Sequence, residues 1–175
     1  MTDTTRDPAD AVELGVEYLL GNELSSRWDS DQKRAWAGVM EISRLLPAKH
    51  DREMIAEHGL SLTLLRLLGG LNERDQPQAR DLAADLDMST GRVSRHLATL
   101  EAAGLLRRTH NAEDKRSLDV ELTDAGRARL AAARQTALEI VERDFLAHLT
   151  PDEMATLARI TTRVLRANVS TDNAR

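Results

Sequence analysis

The pattern of apolar residues along the chain repeats at helical spacing and predicts a mainly α-helical protein. It favours a first helix from Asp7 to Leu20, a long helix from about Asp31 to His58, and a short, very apolar helix from Leu62 to Leu71. A polar linker from Ser25 to Ser30 separates the first two. Pro47 lies inside the long helix, where its ring and missing N–H should kink or interrupt the structure.

Two short helices follow in the middle of the chain. The first extends from Ala79 to Leu86, and a turn of about two to three residues separates it from the second. Ser89 is a typical N-cap for that second helix, and Gly104 is a typical stop after Ala103. Two helices joined by so short a turn are typical of a helix-turn-helix.

Segments with strand character come next. Leu105 to Thr109 is apolar and basic, residues 111–117 form a polar turn, and Leu118 to Leu122 alternates strictly between apolar and acidic residues. Alternation with a period of two is the pattern of a half-buried strand, so the two segments predict a β-hairpin. A hairpin directly after a helix-turn-helix is the wing of a winged helix.

Two further helices complete the pattern. Thr123 should cap a helix from Asp124 to Leu149. Thr150 and Glu153 form the capping-box pattern at the start of a last helix, which should reach about Asn168. The predicted fold class is therefore mainly α with a small β-hairpin.

Composition narrows the classes of protein further. Nine glycines and four prolines among 175 residues are few, which agrees with a helical chain. The absence of cysteine excludes disulfides, thiolate chemistry and cysteine zinc sites. Four aromatic residues are too few for a surface that stacks single-stranded bases.

Other features exclude membrane and catalytic classes. No apolar run reaches the ~18 residues of a membrane span, and the acidic N-terminus lacks the apolar core of a signal peptide. The five histidines are scattered without metal-binding spacing, and no nucleotide-binding or hydrolase motif is present. We therefore expect a soluble, cytoplasmic protein with no membrane partner, no metal, no cofactor and no enzymatic activity.

The helix that Ser89 caps has two chemically different faces. At about 100° per residue, Val93, Leu97 and Leu100 form one apolar stripe that should be buried. The opposite face is small and basic, and it contains Gly91, Arg92, Arg95, Ala98 and Thr99. Small residues permit close approach to the major groove of DNA and arginines bind guanine there, so we interpret this segment as a recognition helix.

Charge is distributed unevenly along the chain. There are 24 Lys and Arg against 29 Asp and Glu, a net charge of −5, which excludes a uniformly basic nucleic-acid binder. From Met88 to Leu118, however, six basic residues accompany three acidic ones, a net charge of +3. A basic patch on an otherwise acidic protein is the pattern that docking to phosphate requires.

The hairpin and its flanks resemble a known family. Residues 114–123 read DKRSLDVELT, and residues 100–106 read LEAAGLL. These motifs are similar to those of the MarR family of bacterial regulators, and the similarity extends from about Trp36 to the last helix. The resemblance implies a homodimeric winged-helix transcription factor whose terminal helices form the dimer interface. It also implies that the recognition helix enters the major groove and that Arg116, oriented by Asp114, enters the minor groove.

The predicted DNA-binding residues lie on the recognition helix, the first strand and the wing. They are Ser89, Thr90, Gly91, Arg92, Ser94, Arg95, Arg107, Arg108, Asp114, Lys115 and Arg116. The strand arginines Arg107 and Arg108 could contact phosphate or could be ordinary surface charges. The chain departs from the family at Ala98–Thr99, where relatives often carry an Asp-Arg pair, and at Arg66, where they often carry an acid.

The interpretation divides the chain into four segments. Residues 1–30 are an N-terminal extension with a short helix and a linker, and residues 31–60 are a dimerisation helix. Residues 61–123 are the winged helix-turn-helix DNA-binding region, and residues 124–175 are C-terminal dimerisation helices. The expected architecture is thus a DNA-binding lobe plus a helical dimerisation lobe.

A small-molecule signal is a further hypothesis, because a chain without cysteine cannot respond through thiol oxidation. Arg66 lies in the helix from Leu62 to Leu71, which is so rich in leucine that we expect it to be buried, and a buried guanidinium is costly unless it is paired. It could pair with an acid of the protein or with a phenolic or other anionic ligand. Trp36 and Met40 could form apolar walls of such a site, or they could belong to the core or the dimer interface.

The sequence and the family resemblance therefore predict a homodimeric MarR-type regulator, which we expect to be a repressor. It would bind a pseudo-palindromic double-stranded DNA operator and leave it when a small aromatic or anionic ligand binds. Two alternatives remain open. One is a winged-helix module for protein–protein contact without sequence-specific DNA binding, which the basic outward face disfavours. The other is an enzyme with an appended DNA-binding-like domain, which the lack of a catalytic motif disfavours.

Overall fold

The secondary structure follows the predicted order of helices and strands. The computed structural model of the protein describes residues 26–74, 79–110 and 118–172 and the isolated positions 19, 21 and 23. The predicted first helix lies almost entirely outside these residues, and so do the predicted wing residues Asp114, Lys115 and Arg116. The described elements are α1 (Ser30–His58), α2 (Leu62–Glu73), α3 (Ala79–Asp85), α4 (Thr90–Ala102), β1 (Leu106–His110), β2 (Leu118–Leu122), α5 (Asp124–Asp144), a 3-10 helix (Leu146–His148) and α6 (Pro151–Asp172).

The chain divides into two structural units, residues 1–53 and 54–175. In the first unit, Asp29 and Gln32 form a reciprocal cap at the start of α1. The Gln32 N–H donates to Asp29 Oδ1 at 2.8 Å, and the Asp29 N–H donates to Gln32 Oε1 at 3.0 Å. The rings of Trp28 and Trp36 meet edge to face, with centroids 6.5 Å apart.

α1 continues through Pro47 as one helix of 29 residues, so the predicted interruption does not occur, while the alternative of a kink stays a prediction. A proline removes a single N–H from the helical hydrogen-bond pattern and crowds the turn before it. Pro47 is exposed, so the displaced carbonyl of the preceding turn can be solvated. A long helix tolerates that local loss.

In the second unit, α2 to α5 and the hairpin share one apolar core. α2 packs against α3, α5 and β2, α3 packs against α4, and α4 packs against β1. Ser61 caps α2 by accepting a hydrogen bond from the Leu64 N–H at 3.2 Å. The largest fully buried side chains are Met54, Leu60, Leu67, Leu68, Leu82, Val93, Leu100 and Ile140. This core is what holds α4 and the hairpin together.

The hairpin consists of two antiparallel strands with Arg107 opposite Glu121 and Arg108 opposite Val120. Leu106, Val120 and Leu122 are buried, so one face of the hairpin closes the core. β1 begins at Leu106, one position later than the pattern predicts. Ends of strands vary by a residue or two, and the prediction of a wing is otherwise confirmed.

Thr123 joins the hairpin to α5. Its hydroxyl donates to the carbonyl of Gly104 at 2.7 Å and accepts from the N–H of Gly126 at 3.0 Å, which caps α5 as predicted. Its own N–H donates to the carbonyl of Leu105 at 3.1 Å. The turn before β1, the end of β2 and the first turn of α5 therefore meet at one residue.

A largely buried polar network fixes the end of α1 to α5 within the second unit. The Thr136 hydroxyl donates to Glu57 Oε1 at 3.1 Å, and His58 Nε2 lies 2.8 Å from the same hydroxyl oxygen. Because that hydroxyl has only one proton, His58 Nε2 is the donor in the second bond. Arg129 also donates to the main-chain carbonyl of His58.

α5 ends at Asp144, earlier than the predicted Leu149. Phe145 leaves the helical region, with φ −135° and ψ −61°, and a short 3-10 helix follows. The predicted start of α6 is confirmed, because the Thr150 N–H donates to Glu153 Oε2 at 2.8 Å and Thr150 Oγ1 accepts from the Glu153 N–H at 3.4 Å. α6 reaches Asp172, and its side chains from Pro151 to Asn168 are exposed except for Leu157.

Candidate nucleic-acid interface

The buried face of α4 is the predicted one. Val93, Leu97 and Leu100 are all buried, with exposures of 3 % or less. Ser89 is the N-cap, and its hydroxyl accepts a hydrogen bond from the Arg92 N–H at 3.4 Å. This packing fixes which side of the recognition helix α4 faces outward.

The turn between α3 and α4 is short and tightly bonded. The Met88 N–H donates to the Ala83 carbonyl at 2.9 Å, which closes the end of α3. Asp87 adopts a positive φ of 51°, a conformation that Asp tolerates better than most residues. α3, this turn and α4 thus form the predicted helix-turn-helix.

The outward face of α4 is small, polar and basic. The exposed residues of this face are Gly91, Arg92, Ser94, Arg95, Ala98 and Thr99. The N-cap Ser89 and the first helical residue Thr90 are exposed as well. A Cβ placed on Gly91 would have no atom within 4 Å. The packing of this chain therefore does not require glycine at position 91, and the missing side chain lowers the surface near the start of the helix.

Arg92 and Arg95 supply the positive charge of this face. Among the residues that the structure describes, neither arginine forms an ion pair. Arg95 lies one turn after Gly91, and its main-chain carbonyl accepts a hydrogen bond from the Thr99 hydroxyl at 3.1 Å. Two guanidinium groups are therefore available to an anion on the outward face.

The strand arginines, in contrast, are paired with acids of the protein. Arg107 donates to Glu121 Oε2 through Nε at 3.1 Å and through Nη2 at 2.7 Å. Arg108 donates to Glu101 Oε2 through Nε at 2.8 Å and through a second, shorter contact from Nη2. The predicted contact of Arg107 or Arg108 with phosphate stays a prediction. Such a contact requires the arginine to leave its carboxylate partner or to bind the carboxylate and the phosphate together.

Glu101 has an altered ionisation because of this pair. The guanidinium of Arg108 donates to the carboxylate and holds the pKa of Glu101 below its usual value of 4.5. The carboxylate is therefore charged at neutral pH and offsets part of the positive charge between α4 and β1.

The structure adds three residues to the site that the sequence pattern did not single out for these roles. Glu101 pairs with Arg108, while Thr123 and Gly126 anchor the base of the hairpin. A glycine three residues after a capping threonine was a detectable signal for the last two. The partner of Arg108 was not detectable in the same way, because it depends on how β1 packs against α4.

The residues predicted to bind a ligand are all exposed. Trp36 and Met40, in the first unit, are each 44 % exposed, and Arg66 is exposed on α2 in the second unit. α2 buries Leu65, Leu67, Leu68 and Leu71 and leaves Arg66 on its outer side. The argument that Arg66 needs a partner because it is buried is therefore wrong, while its role as a ligand residue stays a prediction.

Neither a metal site nor a membrane span occurs in the part of the chain that the structure describes. No group of three His, Asp or Glu residues in this part could hold a metal ion. Every helix in this part is too short or too polar to cross a lipid bilayer.

A helix-turn-helix with an exposed basic recognition helix, followed by a two-stranded wing, defines a winged helix-turn-helix protein. The family model for the MarR family matches residues 58–117. The uncharacterized HTH-type transcriptional regulator YdgJ of Bacillus subtilis is 31 % identical over 112 residues, which cover 64 % of this chain and 67 % of YdgJ. The chain belongs to the MarR family of transcriptional regulators, and it is a regulator and not an enzyme.

Two further relatives extend the comparison. The HTH-type transcriptional repressor MdtR of Bacillus subtilis is 28 % identical over 115 residues, which cover 66 % of this chain and 74 % of MdtR. Sco3205 of Streptomyces coelicolor, a MarR family regulator solved in complex with DNA, has a TM-score of 0.69 and 25 % identity. The alignment covers 80 % of this chain and 92 % of Sco3205.

Proposed function

We propose that this chain is a homodimeric repressor that binds a pseudo-palindromic DNA operator. The outward face of α4 carries the proposal, because it is exposed, small and basic and presents Arg92 and Arg95 without an ion pair among the described residues. In the proposed complex α4 enters the major groove, where arginine can bind guanine. Ser89, Thr90 and Ser94 would contact phosphate, and Gly91 would permit close approach of the helix.

The wing would contact the adjacent minor groove. This role falls to Arg116, with Asp114 and Lys115 beside it, by the similarity of residues 114–123 to the family motif. Sco3205, which is similar over most of this chain, is itself solved in complex with DNA. The protein would act where chromosomal DNA is, in the cytoplasm.

Dimerisation through the terminal helices is supported by the exposed apolar residues of α6. Met154, Ile160, Val164 and Leu165 lie on one side of α6, and Val164 and Leu165 are 53 % and 63 % exposed. An amphipathic helix with such a side gains free energy by covering it. A second copy of the chain would cover it in an isologous contact, and a two-fold symmetric dimer would bind a two-fold symmetric operator.

The repressor role and the release by a ligand complete the proposal. The relative MdtR is a transcriptional repressor by name, which supports repression over activation. The chain has no cysteine, so a small aromatic or anionic molecule is the signal that we propose. Such a ligand must bind more tightly to a dimer whose recognition helices no longer match the operator.

The experiment that tests the DNA-binding function is a titration of a fragment from the protein's own promoter. The wild type should bind it more tightly than a scrambled fragment, with half-sites centred about 10–10.5 base pairs apart and with a steep loss of affinity as salt rises. Arg95→Ala should cost about 1–3 kcal/mol and relax the base preference. The control Arg163→Ala, which changes an exposed arginine of α6, should bind as the wild type does.

Equal affinity of the wild type for both fragments would contradict the proposal. That result would favour a protein–protein interaction module on the same fold. If the wild type is specific but Arg95→Ala is unchanged, the recognition surface is not the outward face of α4.

A further inference from the structure

Glu101 and Arg108 connect the recognition helix to the wing. Glu101 is in the last turn of α4, and Arg108 is the third residue of β1. Nε and Nη2 of Arg108 both donate to Glu101 Oε2. Side-chain exposures of 36 % for Glu101 and 27 % for Arg108 show that the pair is partly withdrawn from water.

The neighbouring pair across the hairpin provides a contrast. Arg107 and Glu121 lie directly opposite each other on β1 and β2, and their side chains are 69 % and 56 % exposed. Successive residues of a strand point to opposite faces, so Arg107 and Arg108 form ion pairs with different acids. Arg107 links the two strands of the wing to each other, and Arg108 links the wing to α4.

The wing needs such a link because an isolated two-stranded hairpin is only marginally stable. Leu106 and Leu122, paired at the base of the hairpin, are buried in the core. Arg108 lies two residues closer to the tip on the same face of β1 as Leu106. Hydrogen bonds between ionised groups are stronger than neutral ones, and both Nε and Nη2 of Arg108 form such a bond to Glu101 Oε2.

We propose that Glu101 and Arg108 are positioning residues of the DNA-binding surface, whose ion pair sets the angle of the wing relative to the recognition helix. The pair acts through α4 and the two strands of the wing, which meet adjacent grooves in the proposed complex, and it needs no contact with DNA itself. This inference rests on the proposed function, because the angle matters only if both elements bind the same duplex.

The positioning role and a direct phosphate contact of Arg108 predict opposite effects of removing Glu101. In the positioning role, Glu101→Ala and Arg108→Ala each lower the affinity for the promoter fragment by about tenfold. The double variant then loses no more than either single variant, and the salt dependence stays that of the wild type. In a phosphate-binding role, Glu101→Ala raises the affinity, and Arg108→Ala reduces the salt slope by about one.

The second pattern would overturn the proposal. A purely structural role would overturn it as well, and it is recognised by variants that unfold at a lower temperature yet bind the promoter fragment with wild-type affinity. The matched control is Glu121→Ala, which breaks the other arginine pair of the same hairpin. This control should change the affinity much less than Glu101→Ala does.

Hydrogen exchange of the β1 and β2 amides in the free protein tests the link without DNA. Glu101→Ala should accelerate exchange of the hairpin amides about tenfold, and Glu121→Ala should accelerate it less. Equal exchange in Glu101→Ala and the wild type would overturn the proposal. Failure of the wild type to distinguish promoter from scrambled DNA would refute the proposed function, and the exchange experiment would still decide whether the pair holds the wing.

Discussion

Gly126, in the first turn of α5, lies directly against the main-chain carbonyl of Leu105. A Cβ placed on Gly126 would be 1.9 Å from the carbonyl oxygen of Leu105 and 3.0 Å from a methyl carbon of Leu122. The Leu105 carbonyl is part of the main chain and accepts a hydrogen bond from the Thr123 N–H. Moving it away from an added methyl group would break that hydrogen bond or distort the backbone. Position 126 therefore admits glycine alone.

Gly126→Ala should lower the free energy of unfolding by about 3 kcal/mol, because the added methyl group overpacks the junction. The control is Gly91→Ala, where a Cβ meets open space and alanine favours the helix by up to about 1 kcal/mol. Urea titration followed by circular dichroism measures both variants. Equal stability of the two variants would show that the junction relaxes without cost.

Gly91→Gln should leave stability nearly unchanged and weaken binding to the promoter fragment by about tenfold. The glutamine side chain would extend from an exposed position of α4 into the space that DNA occupies in the proposed complex. It would therefore obstruct the approach of DNA without disturbing the packing of the protein. Fluorescence anisotropy with labelled promoter DNA measures the affinity, and Gly91→Ala gives the intermediate case. An unchanged affinity in Gly91→Gln would place the start of α4 away from the DNA.

Leu165→Asp should convert a dimer into a monomer. Leu165 is 63 % exposed in the single chain, so the substitution does not disturb the fold of one copy, yet it introduces a charge at the proposed contact. Sedimentation equilibrium at micromolar concentration should give half the wild-type mass. Arg163→Ala, on the polar side of α6, should remain dimeric, and a dimeric Leu165→Asp would remove α6 from the interface.

Arg66→Ala should abolish the release of operator DNA by phenolic carboxylates, if Arg66 binds the carboxylate of the ligand. Titration of salicylate into the complex of the wild type with labelled promoter DNA should lower the anisotropy. The variant should bind the promoter fragment normally without the ligand. Equal release in both proteins would leave Arg66 as an ordinary exposed residue of α2.

Acid should weaken the link between Glu101 and Arg108. Because Arg108 holds the pKa of Glu101 below 4.5 in the folded state, the stabilising effect is fully present above the unfolded-state value and is lost as pH falls through the folded-state value. The difference in unfolding free energy between the wild type and Glu101→Ala should therefore be constant near neutral pH and shrink below about pH 4.5. A difference that grows on acidification would contradict this sign.

The sequence alone predicted the parts of the fold that depend on local chemistry. The apolar spacing of Val93, Leu97 and Leu100 identified the buried face of α4, and with it the outward face. Ser89 and the pair of Thr150 and Glu153 were recognisable because a helix cap involves residues only three apart. These signals need no knowledge of tertiary packing.

The features that sequence reasoning missed depend on contacts between distant segments. The Thr136 hydroxyl donates to Glu57 across 79 positions, and the local pattern of α5 does not indicate which distant residue that hydroxyl meets. The leucine-rich pattern of α2 indicated burial of the whole helix, but one side of a helix can be exposed whatever its average polarity, and Arg66 lies there. Arg107 and Arg108 are neighbouring arginines that the sequence does not distinguish. Their side chains point to opposite faces of β1, and for this reason they pair with different acids.

Thr123 attaches the base of the wing to the start of α5. The hydroxyl and the N–H of Thr123 connect the turn before β1, the end of β2 and the first turn of α5. The base of the hairpin is therefore fixed to the start of α5. A rotation of the first turn of α5 would therefore carry the base of the hairpin with it. A movement of α5 would then change the orientation of β1 and β2 together, without any change in the pairing of the two strands.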